Sequence, residues 1–209
     1  MELPRLGNLC QSIVSGKGLY LSGGLLVIIG VSAGYLLAFG YYPVALVGDR
    51  FISANTFYKN YRAAALYSQQ VDKANVQLSQ TTDASTTTPL TPDQLRVGVM
   101  DQLVESIIID GALAQELSQG EIATLVDQKV SKYDQSASLR QAAAGLFGFS
   151  YADFKDKVLV PQAQRDILTG RIYLKGENFP DWFAEKKKAT RVAIFAGGFA
   201  WDGEHVVAK

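Results

Sequence analysis

The residue types that most often carry enzyme chemistry are sparse in this sequence. The chain of 209 residues has one cysteine, Cys10, and one histidine, His205. A structural zinc site takes about four Cys or His ligands, and a nucleophilic triad needs a histidine beside its nucleophile. The composition therefore excludes most zinc, haem, Cys–His and Ser–His–Asp chemistry, and we expect no catalytic residue, no metal and no cofactor.

Carboxylates, Lys, Tyr and backbone groups are the chemically active groups that remain. The close pairs Asp153 and Asp156, and Glu116 and Glu121, have helical or loop settings that explain them without catalysis. No phosphate-binding loop or nucleophile elbow is found in the sequence. The 20 basic and 20 acidic residues balance to zero net charge, which argues against nucleic acid as a partner.

One long stretch carries no charge and no histidine, from Gly18 to Gly48. A bilayer is crossed by about 20 apolar residues in a helix, so residues 19–42 are predicted to form a single transmembrane helix after a short lead-in at 1–18. A cleaved signal peptide and a buried core helix are the alternatives. Basic residues on both sides of the stretch leave its orientation open.

Residues 44–209 are predicted to form one soluble domain that is mainly α-helical. Gly48-Asp49 between two β-prone runs predicts a tight hairpin, followed by a helix from about Ala54 to Leu78 and an exposed threonine-rich loop at 79–92. Thr91 and Gln94 are then predicted to form a capping box for a helix that ends near Gln119. The wide apolar stripe of this helix predicts that it lies at the centre of the core. The acids of this helix are predicted to lie on its solvated face; they are Asp101, Glu105 and Asp110.

Later segments predict short helices followed by strands. Ser150 caps a helix that Pro161 should kink, and residues 179–209 form a returning segment with one helix and short strands at 191–207. Because exposed hydrophobic strands seek partners, we expect residues 44–52 and 191–207 to form one small antiparallel sheet. The predicted fold class is thus mainly α, with a sheet made from both chain ends and one N-terminal transmembrane helix.

The order of these elements resembles the SurA-like, parvulin-associated chaperone family. Val44–Phe57 is similar to the hairpin and first helix of the family's N-terminal domain, Leu95–Glu116 to its second helix, and Phe147–Leu168 to a later helix. The turn lacks the usual Asn before Gly, and the threonine-rich loop is an addition. We expect the family's parvulin isomerase domain to be missing, because the roughly 35 residues after Leu174 are too few to form it.

The resemblance implies a membrane-anchored, extracytoplasmic, chaperone-like module that binds unfolded or extended polypeptides without catalysis. The alternatives are a divergent peptidyl-prolyl isomerase and an envelope scaffold subunit that binds no peptide. The implied partners are exported polypeptides and, through residues 19–42, the lipid bilayer; a homo- or hetero-oligomer is left open. Aromatic residues are the candidates to line an apolar cleft: Tyr58, Tyr61, Phe147, Phe149, Tyr151, Trp182 and Phe183.

Overall fold

The computed structural model describes residues 34–35, 39–79 and 90–209. The chain divides into two units, Met1–Tyr42 and Pro43–Lys209. The second unit holds every element that bears on the candidate site.

The predicted transmembrane helix is wrong for the part of the chain that the structure describes. Within that part, no helix combines the length and the apolar character that a bilayer crossing requires. The longest helices exceed 20 residues but carry charged side chains along their length. Of the predicted span, residues 19–33 and 36–38 lie outside the described residues, and Gly40 near its end takes a φ of 69° within a turn rather than a helix.

The second unit is built mainly of helices. They are α1 (Ala54–Ser79), α2 (Pro92–Glu116), α3 (Gln119–Val130), α4 (Ala137–Phe147), α5 (Tyr151–Phe154), α6 (Val160–Leu174) and α7 (Phe179–Ala189). A 3-10 turn at Ser131–Tyr133 follows α3, and a π-helical turn at Lys155–Leu159 joins α5 to α6. The strands are β1 (Pro43–Val47), β2 (Arg50–Ser53), β3 (Val192–Ile194), β4 (Phe199–Trp201) and β5 (Val206–Ala208).

The strands form two small antiparallel sheets, not the single sheet predicted. β1 lies between β2 and β3, which confirms that residues from both ends of the domain pair, whereas β4 and β5 pair separately. Phe195 and Ala196 both donate backbone hydrogen bonds to the Val44 carbonyl, where the β1–β3 pairing ends. Gly198 then takes a φ of 87° and turns the chain into β4, away from β1.

Helix α2 is the centre of the hydrophobic core, as its wide apolar stripe predicts. Met100, Val104 and Leu113 are fully buried, and the core cluster joins them to residues of both sheets and of α1, α3, α6 and α7. The predicted capping box at Thr91 and Gln94 is present. The helix ends at Glu116, earlier than predicted, because Ser118 and Glu121 form a second capping box that begins α3.

A π-helical turn lies directly before Pro161, where the sequence predicts a kink. There the chain widens, and the Val160 N–H donates to the Lys155 carbonyl. A single π-turn is a known way to accommodate a disturbed helical ladder. The apolar stripe of α6 therefore stays in contact with α2 and α3, with Leu168 and Ile172 fully buried.

Helices α1 and α4 approach closely at Gly148, which follows α4. Gly148 takes a φ of 65°, and a Cβ atom built there would lie 2.8 Å from Leu66 Cδ1 on α1. A non-glycine residue in this left-handed conformation costs about 1–2 kcal/mol. The close approach and the positive φ together explain why the position is glycine.

We predict opposite effects for two alanine substitutions at the end of α4. Gly148→Ala should lower the free energy of unfolding by about 1–2 kcal/mol because of its positive φ. Gly145→Ala, inside the helix with no atom within 4 Å of the new methyl group, should raise it by up to about 1 kcal/mol. Urea unfolding followed by circular dichroism compares them, and equal stabilities of the two variants would contradict this explanation of the turn.

Candidate functional site: an apolar groove at the α6–α7 turn

The C-terminus of α6 is fixed by a Schellman motif. The Glu177 N–H donates to the Ile172 carbonyl at 3.2 Å, and the Gly176 N–H donates to the Tyr173 carbonyl at 2.9 Å. Gly176 takes the left-handed conformation with a φ of 80°, which this motif requires. The turn thereby holds Tyr173 and Leu174 at the end of the helix, outside its buried stripe.

An open groove of about 780 Å³ lies at this turn. Its apolar lining comes from Tyr173 and Leu174 at the end of α6 and from Phe179 and Pro180 at the start of α7. Tyr173 is 78% exposed and Leu174 is 85% exposed. Large apolar side chains gathered in a concave surface and left in contact with solvent are typical of a binding site.

Stacked aromatic rings support the α7 side of the groove. The Phe179 ring stacks on Phe183 at 5.3 Å between centroids and on Trp182 at 6.0 Å. The Arg165 guanidinium of α6 lies 5.6 Å from the Phe179 centroid and 5.5 Å from that of Phe183. These cation–π contacts fix the first turn of α7 against α6, so this wall of the groove is preorganised.

An ion pair fastens the α6 side of the groove to the central helix. The Lys175 ammonium donates to the Glu116 carboxylate at the end of α2. This hydrogen bond, with added charge from Lys175, Arg171 and Lys186, holds the pKa of Glu116 below its ordinary value despite partial desolvation. The end of α6 is thus tied down while Tyr173 and Leu174 remain exposed.

The predicted cleft residues lie at three separate places instead of lining one cleft. Trp182 and Phe183 belong to the aromatic cluster behind the groove. Tyr61 stacks on the buried Phe57 at 6.3 Å, and Tyr58 meets the same ring edge-on at 5.4 Å.

The other three predicted residues lie around the turn after α4. Phe147 stacks on Tyr67 of α1 at 5.0 Å and lies 6.4 Å from Phe149. The Tyr151 hydroxyl donates to Asp134, and burial together with that hydrogen bond raises the pKa of Tyr151. These side chains join α1, α4 and α5, and none of them lines the groove.

Sequence reasoning missed the residues that do line the groove. Tyr173 and Leu174 follow the last buried stripe residue of α6, Ile172, and so fall outside the apolar periodicity. The sequence feature that could have indicated the groove is two large apolar residues outside the stripe, followed by a glycine and then by Phe-Pro. The groove exists because the chain reverses direction at Gly176. The hydrophobic periodicity of the sequence does not predict such a reversal.

The acids of α2 also differ from the prediction, which placed them on a solvated face. Glu105 accepts hydrogen bonds from Lys187 of α7 at 3.2 Å and from Arg165 at 3.1 Å. Asp110 accepts from Gln164 at 3.0 Å and pairs with Arg50. The polar side of α2 is therefore the surface on which α6, α7 and β2 are fastened.

One group of side chains has the composition of a metal site. Asp101, Glu105 and His205 place one potential ligand atom each within 4.8 Å of one another. All four carboxylate oxygens already have partners, however: Asp101 accepts from the Val206 N–H at 2.8 Å and lies 3.3 Å from His205 Nδ1, and Glu105 accepts from two cations. These partners account for the cluster without a metal ion.

Comparison with known proteins assigns no family. No family model, no curated protein and no solved structure matches the chain. The resemblance to SurA-like chaperones and the extracytoplasmic location it implies therefore stay predictions from the sequence.

We predict that Glu105→Gln destabilises the domain markedly. The change leaves Lys187, whose side chain is 8% exposed, without its carboxylate. Hydrogen bonds to buried charged groups contribute about 1.5–3 kcal/mol, so the free energy of unfolding should fall by about 2 kcal/mol. Glu185→Gln is the matched control, because Glu185 is 79% exposed and pairs only loosely with Lys188 at 3.8 Å; a loss as large in the control would refute the assignment.

The Glu116–Lys175 pair predicts a pH dependence that one substitution should alter. Because the folded-state pKa of Glu116 is lowered, the pair stabilises the fold above the ordinary pKa near 4.5, and this contribution is lost as the pH falls through the lowered value. In Lys175→Gln, the pKa of Glu116 should rise toward its ordinary value in a carboxyl-carbon NMR titration. Glu121 is the internal control, since hydrogen bonds from Ser118 lower its pKa. A Glu116 pKa that is unchanged in the variant would show that Lys175 is not the cause of the shift.

Proposed function

We propose that this domain binds unfolded or extended polypeptide segments, as a chaperone-like module, in the groove at the α6–α7 turn. The observation that carries the proposal is the pair Tyr173 and Leu174, held in a concave apolar surface and yet 78% and 85% exposed. An occupant that covers these side chains would gain about 25 cal/mol for each Å² of apolar surface removed from water.

The groove also offers hydrogen bonds suited to a peptide backbone. The first turn of any helix leaves N–H groups without intrahelical partners. Of the two first-turn residues of α7 that line the groove, Phe179 carries such an N–H and Pro180 carries none, and the N-cap Asn178 makes no side-chain capping bond. Asn178 and Thr169 add polar side chains to the lining. An extended segment has free carbonyl oxygens to meet such donors, whereas a folded client has already paired most of its own.

Contacts of this kind suit transient capture. Apolar burial is non-directional, so a groove lined mainly by apolar side chains accepts many sequences. The backbone donors are likewise indifferent to the client's side chains. Weak, sequence-tolerant binding of exposed segments is the behaviour expected of a holdase.

We predict that Tyr173→Ser with Leu174→Ser weakens binding of an extended peptide by at least about tenfold. Each apolar anchor of a binding site contributes roughly 1 kcal/mol or more, and about 1.4 kcal/mol corresponds to a factor of ten. The measurement is fluorescence anisotropy of a labelled synthetic peptide that alternates Leu or Phe with Ser. Both side chains point away from the core, so the fold should survive the change.

Phe51→Ser provides the matched control. Phe51 is an exposed aromatic residue on β2, 63% exposed and outside the groove, and its variant should bind the peptide like the unchanged protein. Equal losses in both variants would indicate non-specific adhesion to apolar surface. Wild-type protein that does not bind the peptide would refute the proposed function.

A further inference from the structure

The apolar groove carries one charge. Glu177 is the one residue charged at neutral pH among the described residues that line it. The Glu177 carboxylate makes no ion pair within the described part of the chain. The lining is therefore apolar with a single uncompensated negative charge at the turn.

Three cations at residues 165–175 interact with acids other than Glu177. Lys175 donates to Glu116, and Arg165 donates to Glu105 while it lies over the rings behind the groove. Arg171 lies close enough to Glu116 and Glu121 to lower the pKa of both carboxyl groups. None of these three cations forms an ion pair with Glu177 among the described residues, and its charge is left for an occupant.

We propose that the groove selects extended apolar segments that carry a lysine or arginine next to their apolar residues, and that Glu177 supplies the selecting charge. This inference rests on the proposed peptide binding and names the class of segment that the groove prefers. The apolar walls hold the segment, and the carboxylate discriminates between segments of different charge. A basic client side chain has an aliphatic stem that covers apolar surface while its charged end meets Glu177.

The test uses three peptides with one common Leu/Phe-rich centre, flanked by Lys, by Gln or by Glu. An exposed ion pair contributes about 0.2–1 kcal/mol, so the full chain at low salt should bind the Lys peptide about 1.4- to 5-fold more tightly than the Gln peptide. The Glu peptide should bind more weakly than the Gln peptide. The differences should shrink as the salt concentration rises.

Two substitutions of Glu177 test whether its charge sets the order of peptide affinities. In Glu177→Gln the three peptides should bind with similar affinity, and in Glu177→Lys the order of preference should invert. Glu185→Lys is the matched control, because it makes the same change of charge at an exposed position of α7 outside the groove lining; it should keep the wild-type order. Thermal unfolding of each variant shows whether the fold is retained.

Several outcomes would overturn the inference, and they are distinguishable. If all three peptides bind the wild type equally, the charge selection is wrong while the proposed peptide binding stands. If Glu185→Lys inverts the order as Glu177→Lys does, the preference comes from the overall field of the domain. If Glu177→Gln lowers the stability but leaves the order unchanged, Glu177 serves the N-terminus of α7 alone. If none of the peptides binds, the proposed function fails as well.

Discussion

A single carboxylate, that of Glu105, fixes the arrangement on which the candidate site depends. It lies on the central helix α2 and binds Lys187 of α7 with one oxygen and Arg165 of α6 with the other. The Lys187 side chain is almost wholly buried. A buried ammonium that has no partner is strongly unfavourable, so α7 has one position in which its lysine is satisfied. The ion pairs specify geometry more than they add stability, because desolvation offsets much of the Coulombic attraction.

Arg165 connects the charge network to the aromatic cluster. Its guanidinium binds Glu105 and also lies over the rings of Phe179 and Phe183. The wall of the groove is therefore positioned from the core outward, by a carboxylate, then a guanidinium and then stacked rings. A wall that is fixed before binding loses little conformational entropy when an occupant arrives, and this preorganisation retains more of the burial free energy for affinity.

Local sequence signals predicted the local structure well, and failed where distant segments meet. The Gly48-Asp49 hairpin and the capping box of Thr91 and Gln94 follow from residues a few positions apart, and both are present. Nothing near Glu105 in the sequence shows that Arg165 and Lys187 will reach it, so an acid on a polar helix face looked solvated. Phe183 is buried and Tyr58 is 55% exposed, although both were predicted to line one cleft, because aromatic character alone does not distinguish a core ring from an exposed one. The fold class was wrong in its transmembrane helix as far as the described residues go, since no helix among them is both long and apolar enough to cross a bilayer.

The balance of apolar and polar groups in the groove sets the selectivity of the peptide binding that we propose for it. The free energy of burying Tyr173 and Leu174 does not depend on the order of residues in the occupant, so these side chains give affinity with little discrimination. Discrimination is left to Glu177, whose solvent-exposed charge contributes about 1 kcal/mol at most. A site in which apolar side chains give the affinity and one charge gives the discrimination favours one class of segment over another by a few-fold and excludes none. Such selectivity fits the repeated, short-lived capture of many extended chains better than recognition of one folded partner, because a folded partner has already paired the backbone groups that the groove's donors would meet.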